Sequence, residues 1–329
     1  MKETMNILFS CDTNYAMPLT VSITSIFENN KNNNVHIFVL YSSLTEKQKE
    51  ILNNLAKSYN QNISLIHAEE HYFSTAPVLR WSKEAYYRLL INELLPKDIE
   101  KLLYLDCDII VNKSLNDLYN QDLGEDYISA LHITNINTKE FRVRLGLNPD
   151  GNYFQTGVIL FNIKKCTEIL NYEKTTKIIN ELGNKIITVD QDVINVIFDG
   201  KIKPLNPKFN NCDITNFQNN NINRLLNRVD KKLIDETIIL HYATGKPWNN
   251  LFSGSCEQIW YKYLLLSPYR DFYYKKYNKL KYKILRIGFV KTLFYQYINI
   301  TPHINNLART ILSHNIYNRF KGFYRKNIK

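Results

Sequence analysis

Short apolar runs, separated by polar or amphipathic stretches, recur between Met5 and Leu240. Met5 to Ser10 and Val35 to Leu40 are almost continuous in apolar residues, and Asn62 to His67, Leu102 to Leu105, Asp126 to Ile133, Val158 to Phe161 and Thr237 to Leu240 repeat the pattern. Runs of this length read as strands buried on both faces. The intervening stretches carry helical spacing. Ala16 to Phe27 has Pro18 in its first turn, where a missing N–H costs nothing. Thr45 to Tyr59 opens on a capping box of Thr45 with Gln48, which satisfies two orphan donors at once. Arg80 to Leu95 reads as a helix stopped by Pro96, a polar helical stretch runs to Gly146, and Tyr172 to Leu182 is closed by Gly183. Lys203 to Phe209 reads as a proline-bearing loop, Asn219 to Asn227 as a surface insertion, and the Asn-rich runs Asn29 to Asn34 and Asn219 to Asn221 as loops. Strands that alternate with helices predict an α/β fold with a parallel sheet.

The stretch Lys101 to Val111 interrupts this apolar pattern with Asp106-Cys107-Asp108, set between Leu102–Leu105 and Ile109–Val111. Asp is depleted in strands and is seldom buried unless paired or bound to metal. In an extended chain positions i and i+2 share a side, so Asp106 and Asp108 are expected to converge. Converging like charges require a cation, and a hard divalent ion takes carboxylates together with substrate phosphates. A solvated pair in a turn is the plain alternative.

Other polar positions stand at the ends of apolar runs, where an open α/β sheet binds its ligands. Asp12 and Asn14 follow the first strand and suit either a base or ribose contact or the cap of the helix behind them. Arg88 reads as a surface charge or a phosphate and sugar clamp. Gly157 opens the apolar run Val158 to Phe161, and a strand glycine marks close approach of a ligand or another backbone; Gln155 beside it is a candidate polar contact. Asp190-Gln191-Asp192 sits at a helix start, where one acid can serve the helix dipole but two exceed that need. His241, delivered by the last strand, reads as a metal ligand or as a satisfied core histidine, and Gly245 with Lys246 forms a turn able to hold phosphate. The chain has no G-x-x-x-x-G-K-[ST] and no G-x-G-x-x-G motif, which argues against a P-loop NTPase and a dinucleotide dehydrogenase.

The 329 residues suffice for one large or two small domains, with 44% hydrophobic residues and 13% aromatic ones, mostly Tyr. Five Cys without a C-x-x-C pair argue against a disulfide framework or structural zinc and for a reducing compartment. The polar start is unlike a signal peptide, and no apolar run reaches the length of a spanning helix. A cytoplasmic protein, peripheral on the inner face of the cytoplasmic membrane, is expected. The net charge of +11 resides in the tail: Arg270 to Lys329 carry 14 Lys and Arg against the single acid Asp271, which leaves −2 on residues 1–269. A basic, aromatic tail suits adsorption to anionic lipid headgroups.

Together these pieces resemble glycosyltransferase family 8, and most of all its bacterial members that build lipooligosaccharide and lipopolysaccharide cores, such as the α-galactosyltransferases. The matching segments are Ile7–Phe9 through Asp12–Tyr15, Tyr87–Leu89, Leu103–Asp108, Phe154–Asn162, Asp190–Asp192 and His241–Tyr242 through Lys246–Trp248, in the family's order. Gln155 stands where many relatives have Asn. The resemblance implies a GT-A fold, a mixed, mostly parallel sheet flanked by helices, in a catalytic domain over residues 1–268. It stops before the tail, whose basic, aromatic composition predicts a mainly helical membrane-association region over 269–329, a solvated tail being the plain alternative. It implies Mn²⁺ (or Mg²⁺) held by Asp106, Asp108 and His241 against the diphosphate of a UDP-sugar. Asp12 and Asn14 would contact the uridine, Gly245 and Lys246 the phosphates, with Tyr15 and Cys107 inside the donor-binding motifs. Arg88, Gln155, Asp190 and Gln191 would surround the donor sugar, the last two as catalytic candidates. The implied reaction moves galactose or glucose to an oligosaccharide or lipid-linked acceptor with retention, making an α-linkage. Front-face attack, with the leaving phosphate taking the acceptor proton, is the favoured route. The rivals are a self-glucosylating enzyme of the glycogenin kind and a membrane- or nucleic-acid-binding protein with a degenerate site; no nucleic-acid partner is expected.

Overall fold

The computed structural model describes residues 4–134, 136–212, 231–249 and 256–276. Nine strands fall in them: β1 (Thr4–Cys11), β2 (Asn34–Tyr41), β3 (Asn62–His67), β4 (Lys101–Leu105), β5 (Ile109–Val111), β6 (Ile128–His132), β7 (Phe154–Asn162), β8 (Ile202–Pro204) and β9 (Ile239–His241). Seven build the main sheet in the order β3-β2-β1-β4-β7-β6-β8, while β5 and β9 form a two-stranded sheet of their own. β1, β2, β3 and β4 run parallel, β7 lies antiparallel to β4 and β6, and β8 runs parallel to β6.

The two-residue period of the strands divides the core. Ile7, Phe9, Leu103 and Leu105 point to one face, packed with α1 (Ala16–Asn29) and α2 (Glu46–Ser58). Leu8, Leu102 and Tyr104 point to the other, packed with Tyr86, Tyr87 and the helices Tyr172–Leu182 and Asp190–Ile197. α1 is buried around almost its whole circumference, from Pro18 to Phe27, because it is wedged between the two sheets. Its hydroxyls find partners there: Ser22 Oγ donates to the carbonyls of Cys107 and Ile109 at 2.8 and 2.7 Å. α2 opens with the expected capping box.

Four expectations need correction. Arg80 to Leu95 is not one helix: a 3₁₀ turn over Lys83–Leu89 is followed by a short α-helix over Ile91–Leu94. Tyr86 to Ile91 are all buried, and six consecutive buried positions need a path with core on every side rather than one amphipathic face. Lys203 to Phe209 is not all loop, since Ile202–Pro204 forms the edge strand β8, where a Pro is tolerated. The Asn29 to Asn34 run is loop only in its middle, because α1 reaches Asn29 and β2 begins at Asn34. The last strand is Ile239–His241 rather than Thr237 to Leu240. The insertion read at Asn219 to Asn227 and the tail beyond Lys276 lie outside the described residues. Among the described residues no helix is long and apolar enough to cross a membrane.

Candidate active site

Sheet register assembles the site. β1 and β4 are parallel neighbours, with Ile7 beside Leu103 and Leu8 beside Tyr104, so Asp12 and Asp106 emerge at the same edge. β4 pairs with β7 through Leu105 and Val158. The next residues keep step, and the Asp106 N–H donates to the Gly157 carbonyl at 2.8 Å. β5 pairs with β9 through Ile109 and His241, and the Tyr242 N–H donates to the Asp108 carbonyl at 2.9 Å. The chain turns at Cys107-Asp108 on its way from the main sheet to the small one. The two carboxylates therefore converge through that turn, and not through i, i+2 alternation along an extended strand.

Asp106, Asp108 and His241 offer ligand atoms that all lie within 4.8 Å of one another. His241 Nε2 is 3.2 Å from Asp108 Oδ1 and 3.7 Å from Asp106 Oδ2. Gly157 is what admits the imidazole: a Cβ there would lie 2.3 Å from His241 Cε1 and 2.7 Å from Asp106 Oδ2. Apart from its ion-pair contact with His241 Nε2, buried Asp108 Oδ1 has no hydrogen-bond partner among the described residues, which leaves a carboxylate oxygen facing a cation's place. Two carboxylates and an imidazole with such an oxygen fit a divalent ion that prefers hard ligands. Burial would raise the Asp108 carboxyl, but Lys246 and His241 outweigh it and hold it well below the usual carboxylate range. His241 is itself raised, against burial, by Cys212 and Asp108. Lys246 Nζ donates to Asp108 and to the carbonyls of Tyr242 and Ala243 at 2.8 and 3.2 Å.

Arg88 is 4% exposed and far from a surface charge. Nη2 meets Asp106 Oδ1 at 2.9 Å, Nε lies 3.2 Å from Asp190 Oδ2, and Nη1 donates to the Thr156 carbonyl at 2.6 Å. The guanidinium stacks 3.9 Å over the ring of Tyr104, whose hydroxyl donates to Asp106 Oδ1 at 2.9 Å. Asp106 Oδ1 is thus committed to the protein, leaving Oδ2 on the His241 side. Asp190 also accepts from Thr156 Oγ1 at 3.1 Å. Burial pushes its carboxyl up to about 7 against the pull of Arg88.

The Asp190-Gln191-Asp192 group divides its labour. Asp192 is fully buried and accepts from the N–H groups of Ile187 and Thr188 at 2.7 and 2.9 Å, from Tyr153 Oη at 2.6 Å and from Arg144 Nη2 at 2.7 Å. These bonds hold the turn in which Val189 takes φ 41°, an outlying conformation for a β-branched residue. Gln191 is half-buried at the start of its helix, with Nε2 3.4 Å from Tyr153 Oη.

At the end of β1, Asp12 Oδ1 accepts from the Tyr15 N–H at 3.0 Å and Asn14 Nδ2 donates to Asp12 Oδ2 at 2.9 Å. Asp12 caps a 3₁₀ turn over Thr13–Tyr15, while α1 itself starts without a side-chain cap. The Tyr15 ring meets Trp248 edge-on at 6.0 Å, which ties this loop to the turn carrying Gly245 and Lys246. The Cys107 side chain faces the core, with Sγ 3.2 Å from the Ser10 carbonyl. Sequence reasoning missed Tyr104, Thr156 and Asn210. Tyr104 stands two residues before Asp106 on the same face of the strand, a signal that was available; Thr156 and Asn210 become legible only once β7 and β9 are placed.

Half-buried Asp106 and buried Asp108 and His241 stand together at the carboxyl edge of a mixed, mostly parallel sheet flanked by helices, a GT-A-like fold. Residues 6–251 match the family described as "Glycosyl transferase family 8", and the chain belongs to that family. It is 28% identical over 298 residues to the lipopolysaccharide 1,2-glucosyltransferase of Escherichia coli, covering 86% of each chain. It is 25% identical over 255 residues to the lipopolysaccharide 1,3-galactosyltransferase of Salmonella typhimurium, covering 75% of this chain and 74% of that one. The crystal structure of the galactosyltransferase LgtC with donor and acceptor sugar analogs superposes with a TM-score of 0.69 at 23% identity, over 80% of this chain and 96% of that one; this likeness bears on the fold.

Proposed function

We propose that the protein transfers galactose or glucose from a UDP-sugar to a saccharide acceptor of lipooligosaccharide or lipopolysaccharide, with retention and formation of an α-linkage. The convergence of Asp106, Asp108 and His241 within 4.8 Å carries this reading, in a chain whose relatives include lipopolysaccharide glucosyl- and galactosyltransferases. These three residues would hold Mn²⁺, or Mg²⁺ in its place; when bound, the ion supplies Lewis-acid stabilisation of charge on the departing diphosphate.

The remaining roles belong to side chains. Asp12, Asn14 and Tyr15 bind the uridine, and Gly245 and Lys246 the diphosphate. A phosphate competes with Asp108 for the Lys246 ammonium, so donor binding exchanges one anion partner of Lys246 for another. Arg88 fixes the orientation of Asp106 and Asp190 at once. Gln155, Asp190 and Gln191 line the donor sugar, and the ionised Asp190 carboxylate favours positive charge growing on the anomeric carbon. The acceptor oxygen attacks from the face the diphosphate leaves, and a departing phosphate oxygen takes its proton. Residues 1–268 form the catalytic unit, and the basic residues beyond hold the enzyme on an anionic membrane surface at the cytoplasmic side, beside a lipid-linked acceptor.

The test is turnover of a panel of UDP-hexoses with Mn²⁺ and a lipopolysaccharide-core acceptor, with the product's anomeric proton coupling read by NMR. Transfer from UDP-galactose or UDP-glucose giving the small coupling of an α-anomer is expected. A β-product, or sugar incorporated only into the protein itself, would overturn the reading.

A further inference from the structure

The inference rests on the proposed metal and donor roles and concerns how their ligands are oriented. Asn210 is fully buried behind the site. A 3₁₀ turn over Pro207–Phe209 delivers it, with the Asn210 N–H donating to the Pro207 carbonyl at 3.1 Å. The next residue zips onto β9: Asn211 N–H donates to the Ile239 carbonyl at 3.0 Å, and the His241 N–H donates to the Asn211 carbonyl at 3.2 Å. The Asn210 side chain is therefore fixed between His241 and Gln155.

The direction of every bond in this relay follows from one backbone amide. The Gly157 N–H can only donate, and it donates to Gln155 Oε1 at 2.9 Å. Gln155 therefore turns its oxygen inward. Asn210 meets that same oxygen with Nδ2, so its own Oδ1 faces the other way, 2.8 Å from His241 Nδ1. An amide oxygen accepts only, which places a proton on Nδ1 and turns Nε2 towards Asp106 and Asp108 as the metal-facing atom. Cys212 Sγ, 3.4 Å from Nδ1 and 3.6 Å from Asn210 Oδ1, is the weaker neighbour of the same proton. At the other end, Gln155 Oε1 is committed to two donors inside the protein, so Gln155 offers the sugar its NH₂ group.

We infer that Asn210 is a positioning residue that sets the His241 tautomer for metal binding and the amide orientation of Gln155 for the donor sugar, through one hydrogen-bond relay that starts at the Gly157 amide. Metal-binding histidines generally donate their second ring nitrogen in this way, and loss of the acceptor costs about 10–100-fold in metal affinity or activity. The two ends of the relay are separable by substitution. Asn210→Leu removes both. Asn210→Asp retains an acceptor for Nδ1 but sets oxygen against Gln155 Oε1.

The experiment is titration of the purified full chain with Mn²⁺ in the presence of UDP, with free Mn²⁺ read by its EPR signal, alongside donor kinetics. Asn210→Leu is expected to weaken Mn²⁺ binding about 10–100-fold, while Asn210→Asp stays near wild type in Mn²⁺ affinity yet raises the donor KM. Should Asn210→Leu lose its cooperative melt, Gln155→Met and Gln155→Glu carry the test: the first removes the acceptor that orients Asn210 and weakens Mn²⁺ binding, and the second retains it and does not. Wild-type Mn²⁺ affinity in folded Asn210→Leu, or equal affinities in the two Gln155 variants, would overturn the inference while leaving the proposed function standing. A wild-type chain that binds no Mn²⁺ with UDP present would overturn both.

Discussion

Arg88 shows how much of this site depends on single side chains. It is buried between two carboxylates, Asp106 and Asp190, with an aromatic ring beneath it. Removing one partner of a buried ion pair strands the others and costs about 3–5 kcal/mol. Arg88→Met is therefore expected to lose stability on that scale in urea unfolding, together with transfer activity; an unchanged unfolding midpoint would contradict the network. Gly157→Ala tests space rather than charge. Its Cβ would overlap His241 and Asp106, so the imidazole must shift: Mn²⁺ affinity should fall in the same EPR titration, and stability should drop by about 1–3 kcal/mol as in other overpacked sites; wild-type Mn²⁺ affinity would contradict the close fit. Asp190 gives a pH signature. Its folded carboxyl titrates near 7, well above an unfolded Asp. Between about pH 4 and 7 the folded state thus binds more protons than the unfolded one, and stability falls as pH rises. In the metal-free protein the melting temperature of wild type should drop relative to Asp190→Asn across that window, and a constant difference would refute the assignment.

At the scale of elements, the strands were legible because their apolar runs are short, continuous and bounded by turn residues, and the capping box at Thr45 was legible because two residues suffice to define it. The segment Arg80 to Leu95 was not, since burial of consecutive residues by the surrounding core overrides helical periodicity there. The convergence of Asp106 and Asp108 was anticipated from the wrong geometry: it is the crossing of the chain from one sheet to the other that brings them together. His241 stood out at a strand end, but the antiparallel pairing of β5 with β9 that aligns it with Ile109 is long-range and left no local trace. The turn holding Lys246 has an equally distant support. Lys276 Nζ donates to the carbonyls of Pro247 and Trp248 at 2.8 and 2.9 Å, and Tyr261 Oη donates to Pro247 at 3.0 Å. Lys276→Met should loosen that turn. A loss of about 1.4 kcal/mol, near the lower end for a hydrogen bond to a charged group, weakens UDP binding about tenfold. Isothermal titration reads it, and unaltered UDP affinity would dismiss the support.

Across the whole molecule, charge and chemistry divide along the chain. The mostly parallel sheet and its site belong to residues that together carry −2, while the excess of Lys and Arg follows Tyr269. The start of that basic segment packs on the rest of the chain, where Tyr269, Phe272 and Tyr273 lie against the cluster around Trp260 and Leu240. Truncation after Lys276 should therefore preserve UDP binding and abolish adsorption to anionic vesicles, measured by co-sedimentation; retained adsorption would place the membrane contact elsewhere. The central claim is that Asp106, Asp108 and His241 form a metal site that engages a nucleoside diphosphate. Its most direct test is isothermal titration of UDP into wild type and Asp108→Asn, each with and without Mn²⁺. Binding that requires Mn²⁺ in wild type and disappears in Asp108→Asn is the expected result. Equal UDP binding in all four titrations, or none in any, would contradict it.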